Sequence, residues 1–349
     1  MSETTDLIRD MSERLFGDMC NKIMLGAAET GEWPKDLWVA MEENGLTSAL
    51  APETAGGSEL GIADAMVALR IAARHAAPVP FAETLLASWL ASGAGLTVPA
   101  GPLTIASGDL TLAQNGVGWR IAGAAKRVPY ARHAVCIVAL ASVNGAAHVA
   151  LVDPKKCKLS EGRNLAMEPR DDVAFDCDLA AAVVAPAATG VDAGALKTFG
   201  AAMRATQIAG SLSRVLEITV QYAQERVQFG KPISKFQAIQ HNLAMLAAHS
   251  AAANAAADMA AEAAEHDMSR LVIGAAKTRC GDAASASAAI AHAAHGAIGF
   301  THEHILHFFT KRLWSWRDEF GKESEWSLEI GRAAAKAGPD KLWSDIVTA

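Results

Sequence analysis

Residues 222–246 read YAQERVQFGKPISKFQAIQHNLAML, a dense run of Arg, Phe, Gln, Gly and Pro in a chain otherwise rich in alanine. The run joins two helical patterns. Upstream, Leu212, Val215, Leu216, Thr219, Tyr222 and Ala223 share one helix face at i, i+3, i+4, i+7 spacing. Arg226 follows one turn later, near the end of that helix. Gly230 and Pro232 stop it, and Ser234-x-x-Gln237 has the form of a capping box for the next. Read as structure alone, Arg226 complements the negative end of a helix dipole, worth about 0.3–1 kcal/mol.

Helical patterns continue outward from this junction, at about 196–227, 234–266, 268–291 and 302–317. Alanine is the best helix former, and its small side chain lets helix axes approach closely. A C-terminal four-helix bundle over 191–349 is therefore expected. Upstream the periodicity differs. DLTLAQNGVGWRIAG and AVCIVALASVNGAAHVALVDP each set Asn-Gly between short apolar runs, a strong hairpin signal, and DVAFDCDL and AAVVAP read as closing strands. These predict a small β-barrel-like domain over 101–190. Residues 1–100 read as a helical domain: Trp33, Leu37, Met41 and Leu46 begin one amphipathic pattern, and helices are predicted at Ile62–His75 and about Phe81–Ser92 around a loop at 51–61. The fold class is α+β multidomain, in the order α, β, α.

Composition narrows the function. With Lys+Arg 31 against Asp+Glu 38 and no dense basic cluster, the chain has no track for a nucleic-acid backbone. The apolar run 243–264 is broken by His249, Ser250, Asn254, Asp258 and Glu262, the pattern of a buried helix and not of a membrane span. Five scattered cysteines without C-x-x-C spacing, and an N-terminus lacking an apolar signal core, point to reduced thiols in the cytoplasm.

The string at 222–244, taken whole, closely resembles the Y-A-x-x-R-x-Q-F-G-x-P-I-x-x-F-Q-A-I-Q signature of the acyl-CoA dehydrogenase family. WPKDLWVAMEENGLTSALAPETAGGSELGIADAMVALRIAARHAAPVP (33–80) looks like that family's opening helices, with its P-E-x-x-G-G-x-x-L-G loop. AHGAIGFTHEHILHFF (294–309) resembles its H-G-G-I-G-F-T-x-E signature. The resemblance implies an acyl-CoA substrate, FAD, an electron-transfer acceptor protein, and a junction that grips FAD held mainly by a neighbouring subunit. By position, Arg226 would pair with the FAD diphosphate, Gln228 and Phe229 would contact its adenosine half, and Gln237 would hydrogen-bond nearby. Gly296 would let backbone N–H groups approach the same diphosphate where a Cβ would obstruct. Ala297 and Ala293 depart from the Gly and Gln common at their positions.

The resemblance fails at the base. Family members remove the α-proton with a carboxylate while the β-hydride passes to flavin N5. Many place that carboxylate in Y-E-G-T, about twenty residues past the G-F pair; here the stretch is RDEFGKESEW (317–326), with Phe320 directly before Gly321. Others place it beside an Arg of the long helix; here that Arg is Arg204 and its neighbour is Met203. Glu319 is the weak remaining candidate, with Glu323 close by, and the ordinary reading of these acids is solvated helix surface. The flavin-facing T-E-P-x-x-G-S-D segment has no counterpart; TIASGDLTL and AAKRVPYARHA stand there, and RVPYA reads as a plain loop.

This selective loss resembles the second, non-catalytic-type subunit of heteromeric acyl-CoA dehydrogenases such as those acting on steroid CoA thioesters. A related acyl-CoA dehydrogenase subunit would carry the base. The rivals are a homomeric enzyme using Glu319, a scaffold without chemistry, and a flavin oxidase or monooxygenase. No metal site is assigned: His292, His295, His302, His304 and His307 lack a carboxylate at ligand spacing.

Overall fold

A computed structural model describes residues 3–51, 57 and 60–347, so most of the P-E-x-x-G-G-x-x-L-G loop lies outside the described residues. The chain divides into two compact units. One comprises Gly26–Ala65 and Pro78–Lys197, the other Met1–Leu25, Met66–Ala77 and Thr198–Ala349.

The first unit is built on a seven-stranded sheet. Its strands are β1 (Leu103–Asn115), β2 (Gly118–Pro129), β3 (Cys136–Val143), β4 (Ala146–Val152), β5 (Lys158–Ser160), β6 (Arg170–Leu179) and β7 (Val184–Pro186), in the order β5-β6-β2-β1-β3-β4-β7. Among the described strands only β1 and β3 pair in parallel. Both Asn-Gly signals mark hairpins, but differently. In β3–β4, Val143 pairs with Ala146, leaving Asn144 and Gly145 as the two turn residues, both with positive φ as a type I′ turn requires. In β1–β2, Asn115 pairs with Gly118, so Gly116 leads the turn and Asn115 belongs to the strand. Alternation along the strands buries Leu110, Leu112, Ile121, Ile137, Val173 and Phe175 in one apolar cluster. The RVPYA stretch finishes β2 and then turns through Tyr130, whose φ is 50°. Arg132, just beyond, is fixed by hydrogen bonds to the fully buried Asp171 carboxylate.

Two helices of this unit are α3 (Lys35–Glu43), which buries Leu37, Trp38 and Met41, and α5 (Phe81–Gly93), which is buried almost all round. Thr84 of α5 is hydrogen-bonded to both the N–H and the carbonyl of Leu103, 3.2 Å each, pinning the helix to the start of β1.

The second unit is helical. It holds α1 (Glu3–Met19), most of α4 (Ile62–Arg74) and of the 33-residue α6 (Ala193–Glu225), then α7 (Gln237–His266), α8 (Arg270–His295), α9 (Leu306–Trp316), α10 (Glu323–Ala337) and α11 (Pro339–Val347). The predicted bundle helices α6 to α9 share one core: Ile208, Leu212 and Val215, then Leu246, Ala284, Phe309 and Trp316. Small residues set the closest approaches. A Cβ built on Gly210 would lie 2.1 Å from the Arg70 carbonyl oxygen of α4, so only glycine fits there. Gly210→Ala is expected to cost about 3 kcal/mol through overpacking, measurable as a lowered urea midpoint. No helix is long and apolar enough to cross a membrane among the described residues.

The capping box is a correction. α7 begins at Gln237 with Phe236 at its N-cap and no side-chain cap bond. Ile233–Lys235 winds into a 3₁₀ turn instead, and Ser234 contributes its carbonyl, which accepts from Gln240 Nε2 at 3.0 Å. The 3₁₀ turn displaces Ser234 from the capping position.

Candidate functional site

Helix α6 ends at Glu225 and the chain reverses through a two-residue hairpin, Val227–Gln228 pairing with Lys231–Pro232. Phe229 and Gly230 form the turn with φ of 50° and 78°, the both-positive pattern of type I′. Glycine adopts this freely; phenylalanine does so at a strain of roughly 1–3 kcal/mol. The Phe229 ring is 92% exposed. The hairpin is nonetheless braced: Phe229 meets Phe236 edge-on at 6.2 Å, and Lys231 Nζ lies 4.5 Å from the centre of the Phe236 ring. A strained and exposed aromatic is a candidate contact residue.

Arg226 stands at the base of this hairpin. Its backbone is tied, N–H to the Tyr222 carbonyl at 2.9 Å and carbonyl to the Ile233 N–H at 2.8 Å. Its side chain is exposed, and no acceptor for the guanidinium is found among the described residues. Gln228 and Gln237 are exposed as well.

Gly296 caps the end of α8 with φ 64° and ψ −146°, a conformation almost restricted to glycine. A Cβ there would meet nothing of this chain, so the backbone conformation, and not an internal clash, requires the residue. Tyr222 and His295 bring Gly296 to the Arg226 end of the bundle. The Tyr222 hydroxyl donates to the His295 carbonyl at 3.3 Å, and the two rings stack 4.3 Å apart. Tyr222, one turn before Arg226, was legible only as part of an apolar helix face. Burial holds the neighbouring imidazoles neutral: it pushes His295 down to about 4 and lowers His292 and His304 as well. His292 stacks on Phe300 at 4.2 Å, packing the Gly296–Phe300 turn from below.

These residues fit a dinucleotide diphosphate approached from outside the chain. They offer an uncompensated planar cation, a flat apolar face, amide side chains and a glycine turn with open space above it.

Glu319 is elsewhere. Its partner Arg204 precedes Tyr222 by eighteen residues on α6, about 27 Å along the axis at 1.5 Å per residue. Arg204, 1% exposed, donates from Nε to Glu319 Oε2 at 2.8 Å and pairs with the same oxygen through its terminal nitrogen at 2.7 Å. Gln207 accepts a further bond from Arg204, and the Phe320 ring lies against the guanidinium at 5.6 Å. Met203 is buried at 1% exposure. The reading of Glu319 and Glu323 as solvated helix surface is therefore corrected: Glu319 is ion-paired to a buried Arg, and Glu323 accepts two bonds from Arg317 at 2.9 Å each.

Lys277 locks the same segment. Fully buried, it donates from Nζ to the carbonyls of Arg317 (2.6 Å) and Gly321 (2.9 Å). Burial lowers its pKa to about 8, against an attraction to Glu323 that raises it. Between pH 8 and the ordinary lysine value of about 10.4 the unfolded chain binds the extra proton, so this group's contribution to stability rises with pH through that window and is flat below it. Relative to Lys277→Met, the native protein is expected to gain about 2 kcal/mol between pH 7.5 and 9.5 in paired urea titrations.

Comparison with known proteins identifies the family. Residues 2–95 match the acyl-CoA dehydrogenase N-terminal domain, and residues 179–316 match the acyl-CoA dehydrogenase C-terminal domain. The chain is similar to acyl-CoA dehydrogenase IpdE2 of Mycolicibacterium smegmatis, 27% identical over 316 residues that cover 89% of this chain and 93% of the relative. In fold it is similar to a chain of the ChsE4-ChsE5 complex from Mycobacterium tuberculosis, with TM-score 0.87, 23% identity and coverage of 97% and 99%. It is likewise similar to the Tcur3481-Tcur3483 steroid ACAD, with TM-score 0.85, 24% identity and coverage of 96% and 98%. The chain belongs to the acyl-CoA dehydrogenase family of FAD-dependent oxidoreductases.

Proposed function

We propose that this chain is one subunit of a heteromeric acyl-CoA dehydrogenase, completing from outside an FAD site whose catalytic base belongs to a related partner subunit. The observation that carries the reading is the Arg226 guanidinium, exposed and without an acceptor beside the strained, outward Phe229. A cation placed so, next to an aromatic face held by its own bracing, is suited to a ligand that its own chain does not hold. FAD, when bound, supplies the hydride acceptor for α,β-desaturation of a CoA thioester.

This chain's residues bind and orient. Arg226 would fork onto the diphosphate, Phe229 would cover the adenosine half, Gln228 and Gln237 would offer amide hydrogen bonds, and the Gly296 turn would leave room for the same group. None of them moves a proton. The two positions from which the family draws its base hold Met203 and Phe320, and Glu319 is engaged by Arg204. An acyl-CoA substrate and an electron-transfer acceptor protein belong to this reading through the family. The ChsE4-ChsE5 complex, a two-component assembly of the same fold, supports the partner. Co-expression with a homologous acyl-CoA dehydrogenase subunit is the test: a co-purifying pair with a flavin absorption spectrum is expected, and a colourless pair, or no pair, would leave a scaffold role in its place.

A further inference from the structure

Two cysteines meet at the β5 edge of the sheet. Cys157 directly precedes β5, and its backbone is already extended, with φ −107° and ψ 154°. The register therefore runs through it. Ser160 pairs with Asp172, Leu159 with Val173 and Lys158 with Ala174, so the next step sets Cys157 opposite Phe175. Cys177 lies two residues further along β6, on the same face of the pleat. Both side chains pack against the same apolar cluster, close enough for each thiol to influence the other's ionisation. Neither is in a disulfide.

The surroundings suit a reversible bond. Cys157 is half-buried and so within reach of a small oxidant, whereas Cys177 is buried behind it. β5 is three residues long and forms the outer edge of the sheet. A diagonal pair needs a small approach of the backbones to reach the 4.4–6.8 Å Cα spacing of a disulfide, and a short edge strand permits it.

We propose that Cys157 and Cys177 are a redox modification site, closing to an intramolecular disulfide under a peroxide-class oxidant and reopening with a dithiol. One thiolate attacks hydrogen peroxide, breaking O–O and forming a sulfenic acid with release of hydroxide. The second sulfur displaces the sulfenic hydroxyl, forming S–S. The two thiols lose two electrons and two protons, and one peroxide becomes two waters. Burial sets the pace: it pushes Cys157 up to about 12, and raises Cys177 against the opposing pull of Lys156 and Arg120. Only thiolate reacts, so the rate is expected to rise about tenfold per pH unit between pH 7 and 9.

The test uses the full chain treated with hydrogen peroxide and intact mass measured without reductant. A loss of about 2 Da, reversed by dithiothreitol, with a peptide map joining Cys157 to Cys177, is the expected result. The triple variant Cys20→Ser, Cys136→Ser, Cys280→Ser keeps that loss, and Cys157→Ser abolishes it. An unchanged mass, a gain of about 16 or 32 Da with both thiols present, or a bond through another cysteine would overturn the proposal.

Discussion

Arg226→Ala is expected to weaken FAD binding by the assembled enzyme about a hundredfold or more, read by flavin fluorescence titration of the apo pair. Truncating one member of a desolvated, hydrogen-bonded charge pair costs about 2–5 kcal/mol, because the anion left behind loses its partner after losing its water. The same change should leave the fold almost untouched. The Arg226 side chain is exposed and makes no ion pair within its own chain among the described residues, so unfolding should move within about 0.5 kcal/mol. Arg226→Lys should recover only part of the affinity, since a point charge on a flexible stem cannot fork onto two oxygens. Loss of flavin together with loss of stability would instead indicate an internal role.

Glu319→Ala is expected to destabilise the chain by about 3–5 kcal/mol, because Arg204, 1% exposed, would lose the carboxylate that it engages through two nitrogens. Chemical denaturation measures this directly. Glu319→Gln, which retains an acceptor for the Arg204 Nε, should cost less and should leave flavin reduction in the assembled enzyme within about threefold. A catalytic base so altered would cost about 10²-fold or more, the outcome expected of a homomeric enzyme using Glu319. The two substitutions together separate a structural carboxylate from a proton acceptor.

What the sequence revealed follows from the range of the forces involved. Helices α6 to α9 were legible because alanine-rich periodicity is local, and the β3–β4 turn because Asn144-Gly145 fits a type I′ turn by itself. Arg226, Phe229 and Gly230 were legible as a group because their spacing is contiguous. The strained φ of Phe229 was not, since it depends on how Val227–Gln228 pairs with Lys231–Pro232. Long-range partners escaped for the same reason. Nothing near Glu319 in sequence announces Arg204, 115 positions away, and nothing near Lys277 announces the carbonyls of Arg317 and Gly321. The three-residue β5 is too short to show periodicity, and α10 is held by Trp326, fully buried against Gly274 of α8, a packing with no local signal.

Flavin content of this chain purified alone, followed by anaerobic addition of acyl-CoA, bears most directly on whether its half-site needs a partner. A colourless protein that becomes yellow and reducible only with the homologous subunit is expected. Stoichiometric flavin in the isolated chain, bleached by acyl-CoA, would contradict a site completed across a subunit boundary.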